Sequence, residues 1–561
     1  MISDEIKNKI KTLYTQQKFQ ELIDFSKKFI PEDQRPSPIL NIIGLSYFLK
    51  KNSTEEEINL SLSFFEQAFL KDKKSIHGFN ALKNLINFAI KVSTVSKNFS
   101  NFLIKGRKFY EEAESNFGDD EEFLELGLNL YLYLLDTKKQ KELIMKILNS
   151  TRDFKYLRGQ AIFMCNYHYT FSQNEIFTHS VKNSKFFPLF NLSSLDKIKY
   201  EENTKIKIGF VSCDFIKNHS TIFFIRDILK YLDKKKFKTF NFSISRKNLN
   251  DPSQNELRKL SDEWFDVGDL DNEKIANIVQ EQKIDILIDL IGFTNTNRLK
   301  IFNSRVSPIQ ISWLAYCNTT GLDTIDYLIA DNNLIFGEEK NQYSEKILKL
   351  PEIWNSHSGF DFNRSFNELP SLNSKNFTFG SFNNFRKISD ETINTWSEIL
   401  NKIENSTLIL KSSEFCNDEI LLEKFKKNGV AHKIQIFNKI DFKEKNDHLN
   451  LYKKIDLSLD TFPYNGVTTT FESLWMNVPV LVLKGFNFNS RCGESIVKNT
   501  KFDYFIAKDK NEYIKKAFYL SQNKEILIQY RKEIYETILS SALFDTKKFT
   551  ANFQKLLLKL I

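Results

Sequence analysis

"LDTFPYNGVTTTFESLWMNVPVLVL" (residues 459–483) changes character three times within a short span. The apolar run from Ile455 to Phe462 reads as a buried strand, Pro463 to Gly466 as a tight turn, and Thr469 to Asn477 as an amphipathic helix. Pro479 stops that helix, and Val480 to Leu483 form the next buried strand. A helix entered from a strand through a Gly and hydroxyl residues leaves backbone N–H groups unpaired in its first turn. Such an end attracts anions, phosphates above all. The same residues also admit a plainer reading, a capping box in which Thr469 and Glu472 satisfy the helix start between themselves.

Outward from this stretch the same alternation recurs on both sides of a polar linker, 355–376. Ahead of the linker stand "KIKIGFVS" (205–212), "FKTFNFSIS" (237–245), "IDILIDLIG" (284–292), "IQISWLAY" (309–316) and "IDYLIA" (325–330). After it come "FTFGSFN" (377–383), "STLILKS" (406–412), "KIQIF" (433–437), "IDLSLDTF" (455–462) and "VPVLVL" (478–483). Strands separated by helical segments imply two doubly wound α/β domains, expected over 156–360 and 361–561. Ligands of such sheets bind at the carboxyl ends of strands. Two such domains facing a cleft suggest the GT-B arrangement. Residues 1–155 are expected to be all-α. "ILNIIGLSYFLKK" (39–51) and "SLSFFEQAFLKDKK" (61–74) fit one tetratricopeptide-like helix pair with an insertion at "NSTEEE", and 123–148 a weaker second copy. An ordinary helical bundle fits the same residues.

The 561 residues are 41% hydrophobic and 27% charged, so the chain is globular. Its net charge of +9 is spread over short Lys runs on helix faces, which argues against nucleic-acid binding. Five scattered cysteines without a CxxC pair fit reduced thiols in a cytoplasmic protein, not a disulfide framework or zinc site. The start "MISDEIKNKIK" does not read as a signal peptide, and no run is long enough to span a bilayer.

Three loops at strand ends are dense in polar groups. "VSCDFIKNHS" (211–220) sets His219 beside a helix start. "SFNNFRKIS" (381–389) sets Lys387 two residues before Ser389, the expected N-cap. "AYCNTTGLDTIDY" (315–327) is a turn-rich loop. Taken singly, such a His reads equally as structural and such a Lys as solvated.

Together, "IKIGFVSCDFIKNHS", the stretch from "DLIGFTNTNRLK" to "DTIDYLIAD", "FTFGSFNNFRKIS", "DLSLDTFPYNGVTTTFESLWMNVPVLVL", "SRCGES" and "SALFDTKKF" occur in one order. In these blocks the chain resembles the catalytic region of the protein O-glycosyltransferases that include animal O-GlcNAc transferase, plant SPINDLY and bacterial SPINDLY-like proteins. The resemblance implies a metal-independent, inverting glycosyltransferase that needs no cofactor beyond a nucleotide-sugar substrate. It implies a protein acceptor modified on Ser/Thr, with UDP-GlcNAc the first choice of donor. GDP-fucose, UDP-glucose and a non-protein acceptor are the alternatives within the class, and a non-catalytic helical-repeat adaptor is the alternative outside it.

By position, the resemblance makes His219 the active-site histidine, a general base or acceptor-positioning group. It makes Lys387 the lysine that holds the donor diphosphate and stabilises the departing nucleotide. Asn383 falls near a donor-contacting position, and His448 matches a histidine that packs on the base. Thr468 and Thr469 match a phosphate-binding pair beside Gly466, and Glu472 an acidic residue bonding the ribose. The chain departs from the animal enzyme in having Tyr464 for a small cysteine near the sugar, Val467 for a histidine and Leu451 for an arginine. With no DxD in a suitable loop, Lys387 and the helix end are expected to balance the charge of the leaving diphosphate.

Overall fold

Near-continuous apolar runs make strands buried on both faces, and in the computed structural model all of them pair in parallel. The structure describes residues 2–93, 99–154, 156–195, 204–217, 219–245, 248, 250–412, 418–437 and 447–561. The chain divides into two units, one reaching Leu143 and the other covering most of Ile144–Ile561.

The first unit is helical. Its best-formed pair is Ser37–Leu49 with Glu55–Lys71, where Gly44 lets the helices approach. A Cβ at Gly44 would lie 2.7 Å from the Phe65 ring, and the Ser61 hydroxyl donates to the Gly44 carbonyl at 2.7 Å. The "NSTEEE" stretch, expected as an insertion, is the turn and start of the second helix: Thr54 and Glu57 form a reciprocal capping box. In the expected second copy, Gly127 on Glu121–Tyr133 similarly faces Tyr110 and Leu143.

The second unit carries two sheets. In the first, β1 (Ile206–Ser212), β2 (Phe237–Ser243), β3 (Glu263–Asp266), β4 (Ile286–Asp289), β5 (Ile309–Ser312), β6 (Tyr327–Asp331) and β7 (Lys346–Leu350) run in the order β3-β2-β1-β4-β5-β6-β7. In the second, β8 (Phe377–Ser381), β9 (Ser406–Lys411), β10 (Ile434–Phe437), β11 (Leu457–Leu459), β12 (Val480–Leu483) and β13 (Ile506–Ala507) run β10-β9-β8-β11-β12-β13. Both reverse direction beside their own first strand, which opens a crevice between β1 and β4 and another between β8 and β11. β3, β7 and β13 lie outside the strands expected from the sequence. β3 and β13 are short, and β3 and β7 are edge strands that lack a continuous apolar run.

The lobes are tied at the linker and by the chain's last helix. His357 and Ser358 donate their N–H groups to the Leu543 and Phe223 carbonyls, each at 2.8 Å. The helix Thr546–Leu558 returns to the first lobe, where Thr546 bonds Asp227 at 2.6 Å and Phe553 packs on Trp313.

Candidate functional site

The loops leaving β8 and β11 carry most of the expected residues to the second sheet's crevice. After β8 the chain passes Asn383 and a short turn, Phe385–Lys387, before the helix Asp390–Lys402. Ser389 caps that helix, as expected, by accepting from the Thr392 N–H at 3.1 Å. The Ser389 and Thr392 hydroxyls both donate to the Phe462 carbonyl at 2.7 Å. Those two bonds fasten the β8 loop to the turn after β11 and so fix where Lys387 reaches.

Asp460 is the centre of that turn. Its Oδ1 accepts from the N–H groups of Gly466 (2.7 Å) and Thr461 (2.9 Å) and from the Asn383 amide (3.4 Å). The Asn383 carbonyl oxygen accepts in turn from the Thr469 hydroxyl at 2.8 Å. Gly466 sits inside this knot: a Cβ there would come within 2.9 Å of both Asn383 Oδ1 and Asp460 Oδ1 and closer still to Thr469 Oγ1. Only glycine leaves the space. The Lys387 ammonium donates to the Asn465 carbonyl at 2.8 Å and lies 4.5 Å from the centre of the Tyr464 ring. Burial lowers the Lys387 pKa below that of free lysine. Burial also pushes the Asp460 carboxyl up to about 7, against the pull of the Gly466 N–H and of Lys387.

The helix spans Thr468–Trp475, with Val467 at the N-cap position and no side-chain cap. The capping-box reading is therefore corrected. Starting the helix at Thr468 turns the Thr469 hydroxyl to Asn383, while Glu472 points into the protein. Glu472 Oε1 lies 3.1 Å from His448 Nε2, and the Tyr452 hydroxyl lies 3.0 Å from Glu472 Oε2 and 3.1 Å from the Thr469 carbonyl. Burial opposes ionisation of Glu472, but His448, Lys411 and Tyr452 together outweigh it and hold its pKa below the usual carboxylate range. Lys387, Asn383, Gly466, Thr469, Glu472 and His448 thus form one connected set around an uncapped helix start. Thr468 is half-buried at that start.

The first lobe contributes His219, which caps the helix Ser220–Tyr231. Its Nδ1 accepts from the Thr221 N–H at 3.4 Å, and its Nε2 lies 3.5 Å from Asp214 Oδ1. The side chain is 38% exposed, so a substrate can reach it. His219 stands apart from the Lys387 set, yet the two helices whose starts carry His219 and Thr468 meet, Phe224 against Phe471 at 5.5 Å. Tyr464 stacks on Tyr167 at 4.7 Å, joining the β11 turn to the segment that leads into the first lobe.

Sequence reasoning missed Asp460, Asn465, Tyr452 and Tyr167. A signal existed for the first. β4 and β11 are each followed or ended by an Asp just ahead of a Gly-containing turn, "LIDLIG" and "SLDTFPYNG". Both carboxylates accept N–H groups from the turn they precede: Asp289 from Ile291 and Gly292, Asp460 from Thr461 and Gly466. Among the described residues, no helix is long and apolar enough to cross a membrane.

Over 380 residues, 66% of this chain, it is 32% identical to the tomato (Solanum lycopersicum) "Probable UDP-N-acetylglucosamine--peptide N-acetylglucosaminyltransferase SPINDLY". The match to the protein of that name called SEC in Arabidopsis thaliana is 29% over 363 residues. The aligned part spans only 40% of the tomato protein and 36% of SEC. Among solved structures, a point mutant of the Thermobaculum terrenum O-GlcNAc transferase superposes with a TM-score of 0.71 at 21% identity, over 99% of this chain and 97% of that one. The fold is accordingly GT-B, two Rossmann-like lobes preceded by a helical region. The profile of "Glycosyl transferase family 41" matches residues 191–360 and 362–553, which takes in both crevices and every candidate residue, and the chain belongs to that family.

Proposed function

We propose that the chain is an inverting, metal-independent glycosyltransferase that moves a sugar from a nucleotide donor to Ser/Thr hydroxyls of proteins. The observation that carries this reading is the Lys387 ammonium beside the uncapped Thr468–Trp475 helix start at the second sheet's crevice. A departing nucleoside diphosphate needs positive charge and N–H donors already in place, and both are supplied there. Glu472, on that same helix, is paired with His448, the two residues that the resemblance assigns to the ribose and the base. In the reaction the acceptor oxygen bonds the anomeric carbon as the carbon–phosphate oxygen bond breaks. The hydroxyl proton passes to His219 or to the leaving phosphate.

UDP-GlcNAc is the first choice of donor, supported by the names of the SPINDLY and SEC relatives. The test is nucleotide release by EDTA-treated protein from UDP-GlcNAc, GDP-fucose and UDP-glucose, with intact-mass measurement of co-expressed proteins. The expected result is release from UDP-GlcNAc and acceptors heavier by an N-acetylhexosamine. Turnover of GDP-fucose alone makes the enzyme an O-fucosyltransferase. Turnover restored only by added divalent metal overturns metal independence, and no turnover of any donor favours the adaptor.

A further inference from the structure

We propose that Asp460 is a positioning residue that takes up a proton when a nucleotide sugar binds, freeing Lys387 for the diphosphate. This rests on the reading of Lys387 and the Thr468–Trp475 helix start as the diphosphate seat. Asp460 is 1% exposed, and its two oxygens differ. Oδ1 carries the three bonds that hold the turn, whereas Oδ2 is buried with no hydrogen-bond partner. Gly493 walls Oδ2 in, since a Cβ there would lie 2.5 Å from it. An ionised oxygen in that position is poorly compensated, and a proton can be added to Oδ2 without breaking any bond Oδ1 makes.

The charges around Asp460 explain when the proton arrives. Without donor, the Lys387 ammonium is bonded to a carbonyl of the turn that Asp460 organises, and the Asp460 carboxylate favours its charged form against burial. A diphosphate brings two further negative charges to that ammonium, and an ionised Asp460 then becomes a third. Other groups facing it offer no relief. Tyr452, Tyr513 and the Cys492 thiol are held protonated by burial, and Glu472 keeps its charge through His448. Burial has already brought Asp460 to about 7, so an added anion moves it from partly to fully protonated at neutral pH. Binding therefore takes up protons, and affinity falls as pH rises through neutrality.

Isothermal titration of wild-type protein with UDP-GlcNAc and with GDP-fucose at pH 7, in PIPES and in imidazole, tests this. These donors carry no phosphate group that titrates near neutrality. The expected result is a heat that depends on the buffer's ionisation enthalpy, corresponding to uptake of roughly half a proton. Asp460→Asn should still bind donor and lose that dependence. Donor binding that Lys387→Met weakens, with identical heats in both buffers after correction, overturns the proposal and leaves the diphosphate seat standing. Buffer dependence retained in Asp460→Asn does the same. Binding of neither donor, or binding indifferent to Lys387→Met, overturns the seat and the proposal together. The wild-type comparison does not depend on how any variant folds.

Discussion

Lys387 is required to stay charged in a place where burial works against the charge. Its hydrogen bond to the Asn465 carbonyl and its position over the Tyr464 ring offset part of that cost. A dianionic ligand would offset far more, which is what distinguishes a binding lysine from a solvated one. Lys387→Ala is therefore expected to lower kcat by about 10²–10³, the usual loss for one preorganised charge-stabilising group. Its melting temperature should match wild type, because Ser389 and Thr392 hold the loop to Phe462 without help from Lys387. An unchanged kcat would remove Lys387 from the reaction.

At the scale of elements, the central strands and the order of loops could be read from the sequence because buried parallel strands are apolar on both faces. The edge strand β7, "KILKL", is broken by exposed Lys346 and Lys349, and β3 is a half-buried "EWFD", so neither carries that pattern. The Thr468–Trp475 helix was legible in position but not in its cap. Thr-x-x-Glu satisfies a local rule, and which partner each side chain takes depends on Asn383 and Tyr452, both distant in sequence. The roles of Lys387 and His219 came from the resemblance, since neither spacing is distinctive by itself. What no local pattern could show is that the helices behind His219 and Thr468 touch. Phe471 is fully buried there, 5.5 Å from Phe224, 5.4 Å from His357 and 5.6 Å from Phe544. Phe471→Ala removes a ring from a seam built of both lobes and should cost about 3–5 kcal/mol in denaturant titration. A loss below about 1 kcal/mol would mean that the seam collapses around the gap.

At the scale of the whole molecule, the six-stranded sheet repeats the order of the first six strands of the seven-stranded one, and the linker that joins them buries its own His357. That ring is fully buried among Phe223, Phe360 and Phe471, with Arg226 and Glu472 the charged groups felt there. Its Nδ1 accepts from the Gly359 N–H at 3.0 Å, which suits the neutral form. Burial lowers its pKa to about 3. The unfolded chain binds a proton at this histidine below about pH 6.5, and the folded chain does not until far lower. His357 therefore withdraws stability as pH falls through that window, by at most about 1.4 kcal/mol per pH unit. Asp289, Asp331 and Asp460 act with the opposite sign. Burial pushes them up to about 7, 6 and 7, so the stability they contribute is present in acid and lost as pH rises from the ordinary carboxylate range through those values. The wild-type profile mixes both effects, and a comparison with His357→Gln separates them. Wild type should exceed the variant most at pH 7, with the gap shrinking steadily toward pH 5 in urea titrations. A gap that stays constant would mean that the histidine at the joint of the two lobes accepts its proton as readily folded as unfolded, and that the joint is open to water.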